Sequence, residues 1–172
     1  MTAVPVEPRR AKQGAGVTAA ALALACGMIA AHEGMIPTPY VDRLGKGQPL
    51  TVCYGETHGV IPGKRYTPAE CRAMLEISAL DHAVEAQACL PYGLPAKTAA
   101  AFYDISYNIG ARAFCKSSIA RKAAAGDLHG ACKAVLLYRF SNGRDCSIRS
   151  NKCGGVWRRR QDEAALCLEG LA

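Results

Sequence analysis

Nine cysteines spread along 172 residues constrain this chain more than any other feature. They are Cys26, Cys53, Cys71, Cys89, Cys115, Cys132, Cys146, Cys153 and Cys167. No two have the CxxC spacing of a zinc ribbon or a redox motif, so no structural metal is expected. Dispersed cysteines instead point to disulfides and an oxidising compartment. The count is odd, which leaves one thiol over. Cys26 is the natural remainder, because it alone lies inside an apolar segment, where it can pack as a small hydrophobe. Cys146 and Cys153 flank the polar segment SIRSNK. Closing so short a loop costs little entropy, so this pair is expected to bond. Cys53–Cys71 and Cys132–Cys167 are the next pairs to test.

The length fits one domain. Half of the residues are apolar and a fifth are charged, which excludes a wholly disordered chain. Abundant alanine with few aromatics favours helices over a β-sandwich. Lys and Arg number 21 against 14 Asp and Glu, a formal charge of +7. That balance suits an anionic partner such as nucleic acid, lipid or cell wall without choosing among them. No phosphate loop, serine elbow or nucleic-acid motif is present, and no nucleic-acid partner is expected.

Residues 1–16 carry Pro5, Pro8, Arg9, Arg10 and Lys12 and read as a basic leader. From Val17 to Ala31 the chain reads VTAAALALACGMIAA, without a charge. A basic flank and a short apolar run resemble a secretory signal. As a helix the run spans about 22 Å, short of the ~30 Å hydrocarbon core. Its alanines and glycine give it a weak drive into lipid. Arg9, Arg10 and Lys12 should stay cytoplasmic and send the remainder outward. Ala30-Ala31 can be read as a cleavage site, which would leave Glu33 second in the product.

Residues 35–50 are rich in Pro and Gly and read as loop. Residues 51–61, TVCYGETHGVI, suggest a small hairpin. Thr67-Pro68-Ala69-Glu70 is a capping box opening a helix to about Cys89, with Met74, Ile77, Leu80 and Val84 on its inner side. Further helices are expected over 95–109, 118–125, 128–140 (capped by Asp127) and 156–168, with a polar loop over 141–155. The architecture is α+β, mainly α. A small β-hairpin lobe against a larger helical lobe leaves a cleft, a place for an extended polymer.

Glu33 ends the first helix, Asp42 lies nine residues on across a loop, and Thr51 opens the hairpin. Glycoside hydrolysis needs a protonated acid for the leaving oxygen and a carboxylate for the oxocarbenium-like charge or for water. A helix end partly buried against a core would favour the protonated form of Glu33. Asp42, in a polar loop, would stay ionised, and the Thr51 hydroxyl could hold a water. Spacing alone fits equally a carboxylate that caps a neighbour and an aspartate in a turn. His32, His58, His82 and His129 show no ligand spacing, and no metal or cofactor is expected. Tyr103, Asp104 and Tyr107 either border the cleft or pack between helices. Arg159 and Arg160 are expected to pair with Asp162 or Glu163 and buttress the helical lobe.

Four separated blocks resemble the phage-type lysozymes, glycoside hydrolase family 24. They are HEG at 32–34 with Tyr40-Val41-Asp42 and Thr51-Val52-Cys53-Tyr54-Gly55-Glu56-Thr57; Ala101-Phe102 through Tyr107-Asn108-Ile109-Gly110; Ser117-Ser118-Ile119 with Gly126-Asp127; and Gly155-Val156 with Arg159, Arg160 and Glu163. The resemblance runs in order over residues 29–168. It implies a lysozyme-like fold. It also implies hydrolysis, with inversion, of the β-1,4 bond between N-acetylmuramic acid and N-acetylglucosamine in peptidoglycan, without a cofactor. It assigns Glu33 as general acid, Asp42 as second carboxylate and Thr51 as the water-positioning hydroxyl. The gap from Asp42 to Thr51 is longer than the family's by a few residues around Lys46–Pro49. Phe140 stands near where the family often has tryptophan and is expected to serve core packing.

The weakly apolar start is similar to that of signal-arrest-release endolysins. That likeness divides the chain into a leader and tether over residues 1–31 and a catalytic domain over residues 32–172. It implies a monomer exported to the host periplasm, with transient inner-membrane association through the segment from Val17 to Ala31. On release, Cys26 could attack an existing disulfide. A lytic transglycosylase on the same bond and a non-enzymatic cationic cell-wall binder are the alternatives.

Overall fold

The computed structural model describes residues 16–42 and 47–172. The leader up to residue 15 and part of the loop after Asp42 lie outside the described residues. The first helix, α1, runs Ala19–Glu33, and the Thr18 hydroxyl caps it by accepting from the Ala21 N–H at 3.2 Å. Ala21, Ala25 and Ile29 form its buried row, four residues apart on one face. That row packs chiefly on the central helix α3, Ala96–Ile109. From Thr98 to Ser106 every residue of α3 is buried, as expected for a helix surrounded on all sides.

The β lobe is an antiparallel hairpin of β1, Ile36–Val41, and β2, Leu50–Cys53. The sequence placed loop over 36–41 because of Pro37 and Pro39. Each strand of a two-stranded sheet has an open edge, and there proline removes no ladder bond. Pro37 instead offers its carbonyl to the Tyr66 N–H at 2.8 Å. Helix α2, Pro68–Gln87, carries the expected capping box between Thr67 and Glu70. Its buried face is Cys71, Leu75, Ala79, Ala83 and Ala86, whereas Ile77 and Leu80 are exposed. The larger side chains therefore misplace the inner face. The alanines point inward, because close helix–helix approach needs small residues there.

The remaining helices are α4, Ala111–Cys115, α5, Ser118–Ala124, α6, Leu128–Ala134, and α7, Gly154–Glu169. Asp127 caps α6 as expected. The chain then tightens into a 3₁₀ turn, Val135–Leu137, instead of continuing as α-helix to residue 140. Strands β3, Phe140–Ser141, and β4, Arg144–Asp145, form a minimal hairpin in the segment expected to be loop. Phe140 is not core: it is exposed, with the Arg139 guanidinium over its ring.

Four disulfides staple these parts. Cys53–Cys71 joins β2 to α2, and Cys132–Cys167 joins α6 to α7. Cys146–Cys153 closes the small hairpin onto the start of α7. These three pairs are the ones proposed from the sequence; the fourth, Cys89–Cys115, fastens the end of α2 to α4. Cys26 is the free thiol, half-buried beside Ile29, Leu75 and Ala79, and burial pushes its thiol up. Among the described residues, no helix is long and apolar enough to cross a membrane.

Candidate active site

Glu33 is the last residue of α1. Gly34, at φ 70°, turns the chain from there into β1, a conformation glycine adopts without steric cost. Asp42 follows the last residue of β1, and its N–H donates to the Pro49 carbonyl at 3.0 Å, closing the base of the hairpin loop. Thr51 lies on β2 opposite Tyr40 and is buried. Its hydroxyl donates to the Pro49 carbonyl at 3.2 Å. All three residues singled out from the sequence line one cleft of about 400 Å³ between the hairpin and helices α2 and α3. A second depression, of about 540 Å³, lies on the other side of Glu33 and is bordered by Gly155 and Arg158. Glu33 and Asn108 line both. Glu33 thus stands between the two depressions.

A buried ionic network holds Glu33 from behind. Arg159 on α7 is 5 % exposed and donates to Glu33 and, from Nη2, to Asp104 Oδ1 at 2.8 Å. Its Nε lies 3.3 Å from Glu163 Oε1. Arg160 donates from Nη2 to Glu163 Oε1 at 2.8 Å and to Asn108 Oδ1 at 2.9 Å. Burial opposes the charge on Arg159, but Asp104 and Glu33 outweigh it and hold the guanidinium above its usual value. Burial, joined by the neighbouring Asp104 carboxylate, pushes the Glu163 carboxyl up.

The expected pairing of Arg159 and Arg160 with Glu163 is present. Asp162 instead meets His32 Nε2 at 3.5 Å. Glu33 is not sealed against an apolar core: its side chain keeps 29 % of its surface open and is ion-paired. Arg159 reaches it from 126 residues away in the chain, a contact that no local spacing announces.

Glu56 is a cleft residue that sequence reasoning did not assign. Cys53 takes a left-handed φ of 59°, and the chain folds back so that Val52 and Glu56 exchange both N–H···O bonds at 2.9 Å. This turn aims Glu56 inward, where it is 7 % exposed. Its Oε1 accepts from the Ser78 hydroxyl at 2.5 Å and the Tyr107 hydroxyl at 3.1 Å. Burial pushes the Glu56 carboxyl up, against the opposing pull of those two hydrogen bonds. Burial and Glu56 likewise push the Tyr107 phenol up. The one signal in the sequence was an acid between glycine-flanked turn residues, GETHG. Tyr107 lines the cleft, whereas Tyr103 and Asp104 are wholly internal, Tyr103 donating to Gln87 Oε1 at 2.7 Å.

Residues 30–163 match the phage lysozyme family model. A SAR-endolysin of Bacteriophage PS119 is 35 % identical over 139 residues, covering 80 % of this chain and 77 % of that relative. The active form of the P1 phage endolysin Lyz superposes with a TM-score of 0.68 at 25 % identity, covering 94 % of this chain and 90 % of that one. The muramidase domain of SpmX from Asticaccaulis excentricus superposes with a TM-score of 0.72 at 22 % identity, covering 84 % and 94 %.

Proposed function

The chain belongs to the phage lysozyme family, and from that premise we propose how its cleft works. The protein is an endolysin: it hydrolyses the β-1,4 bond between N-acetylmuramic acid and N-acetylglucosamine in peptidoglycan and so lyses the host bacterium. Glu33 delivers a proton to the leaving glycosidic oxygen. Asp42 stabilises the positive charge that develops on the sugar or activates the attacking water. The Thr51 hydroxyl holds that water. Arg159 fixes the Glu33 carboxyl while dividing its own donors among Asp104 and Glu163. A glycan lying over the open face of Glu33 excludes water from the carboxyl.

The observation that carries this reading is that Glu33, Asp42 and Thr51, from three different elements, line one cleft. Purified peptidoglycan digested by the wild type and by Glu33→Gln tests it, with mass spectrometry of the muropeptides. Hydrolysis gives reducing-end products and a transglycosylase gives anhydro products. Undiminished digestion by Glu33→Gln would remove Glu33 from its role and leave a cationic binder or another acid to explain lysis.

The protein is exported to the host periplasm, at first tethered to the inner membrane. The tether is the segment from Val17 to Ala31, within the leader unit of residues 1–31 that precedes the catalytic unit of residues 32–172. After release that segment becomes most of α1, which supplies Ala21, Ala25 and Ile29 to the core and ends on Glu33. Cleavage after Ala31 would strip this packing, so activity follows release of the intact helix. The released enzyme works as a monomer, since one chain supplies every group of the proposed mechanism.

A further inference from the structure

We propose that Glu56 is a substrate-binding residue of the cleft, accepting through Oε2 a hydrogen bond from a hydroxyl or acetamido N–H of the bound glycan. This rests on the saccharide reading of the cleft and adds a third carboxylate to it. The two oxygens of Glu56 are in different situations. Oε1 takes hydrogen bonds from Ser78 on α2 and Tyr107 on α3, so the protein fixes it. Among the described residues no hydrogen bond reaches Oε2, and it is not a buried atom left without a partner. It therefore faces the cleft that Glu56 lines together with Glu33, Asp42 and Thr51.

A carboxylate on a rigid turn, held by one oxygen and presenting the other, is an acceptor preorganised for a donor. Both sugars of the substrate offer such donors at every repeat. The charged groups facing Glu56 are His58 beyond its own turn and His82 on α2, with the Tyr107 phenol on α3. Among the described residues neither histidine hydrogen-bonds to Oε2, so neither competes for it.

Glu56→Gln separates binding from support. Ser78 and Tyr107 donate to Oε1, so a glutamine placed there puts its amide oxygen against them and its NH₂ where Oε2 was. The internal contacts survive, while the atom facing the glycan changes from acceptor to donor. The experiment titrates a peptidoglycan tetrasaccharide, by calorimetry, into Glu33→Gln and into Glu33→Gln/Glu56→Gln, with melting curves for both. The double variant should bind roughly 10- to 100-fold more weakly, as expected for a lost hydrogen bond to a charged group, with a melting temperature no lower. Affinities within about twofold of each other would overturn the assignment and leave Glu56 as a tie between the lobes. An equal loss in Ser78→Ala/Glu33→Gln, where Oε2 is untouched, would overturn it too. Failure of the lysozyme reading itself looks different, because Glu33→Gln alone would then not bind the tetrasaccharide.

Discussion

The two ends of one ion pair should respond to mutation in opposite ways. Arg159→Ala removes the guanidinium that serves Asp104 and Glu163, both wholly buried, as well as Glu33. Deleting one partner from a buried ionic network costs about 3–5 kcal/mol. For a chain of this size 1 kcal/mol corresponds to about 2–4 °C, so the melting temperature should fall by about 6–20 °C. Glu33→Gln leaves Arg159 with its two buried partners. The Glu33 side chain is 29 % exposed and its pair is screened by solvent, so the cost is about 0–1 kcal/mol and the shift at most about 4 °C. Activity runs the other way. Loss of a general acid lowers turnover by about 10²–10⁴-fold, with the folded protein intact. Melting followed by circular dichroism, alongside clearing of purified peptidoglycan, reads both quantities. If Glu33→Gln melts as low as Arg159→Ala, then Glu33 is part of the scaffold and the division between acid and clamp is wrong.

Asp42→Asn should lose nearly as much activity as Glu33→Gln, and proton NMR of the first product should show the inverted anomer; a retained anomer contradicts the inverting scheme. Removing Cys132–Cys167, whose partners are 35 residues apart, should cost about 4 kcal/mol and removing Cys146–Cys153, 7 apart, about 2 kcal/mol; paired Cys→Ser variants compared by denaturant unfolding check the order. Ala20, Ala23 and Gly27 are exposed on α1, so leucine there should leave the folded enzyme intact yet hold the protein in membranes and delay lysis; a variant that fractionates as soluble and lyses on schedule contradicts the tether. Burial raises the folded-state Glu56 carboxyl above its unfolded value near about 4.3, so its charged form is a cost absent below that pH and present once pH passes the folded value. Glu56→Gln lacks this cost, so its stability relative to the wild type should improve as pH rises above about 4, measured as the difference between two unfolding series.

Elements were legible from local signals where a cap marked them. Thr67 with Glu70, Asp127, and Gly110 after α3 each fixed a boundary through a hydrogen bond or a backbone angle that involves only near neighbours. The faces of the helices were harder. On α2 the bulky Ile77 and Leu80 look outward because α2 meets its neighbours through Ala79, Ala83 and Ala86. β1 was hidden by prolines that an edge strand tolerates. At the site, Glu33, Asp42 and Thr51 were legible because they lie close in sequence within a recognisable stretch. Arg159 was expected only as a buttress, and its grip on Glu33 depends on α7 returning to the start of the chain. Glu56 lies in the same stretch, but what distinguishes it is burial against Ser78 and Tyr107, 22 and 51 residues away, which no local pattern announces.

The composition of α1 answers two demands at once. In the periplasm its Ala21 and Ala25 must fit against α3, where alanine lets two backbones come close, and its Ile29 against Leu75 and Ala79 of α2. In lipid the same helix must be apolar on every side, so it cannot carry the polar face that marks an ordinary surface helix. Alanine meets both conditions weakly: each side chain gains little from lipid and costs little when left in water, as Ala20 and Ala23 are. Leucine on the outer face would strengthen the first state at the expense of leaving it. Under the proposed tether, Glu33 ends the same helix that leaves the membrane, so its ion pair with Arg159 would form as α1 docks on α3. Under the same proposal, the weak hydrophobicity that makes the segment a poor membrane span is what would let Glu33 reach its place in the cleft.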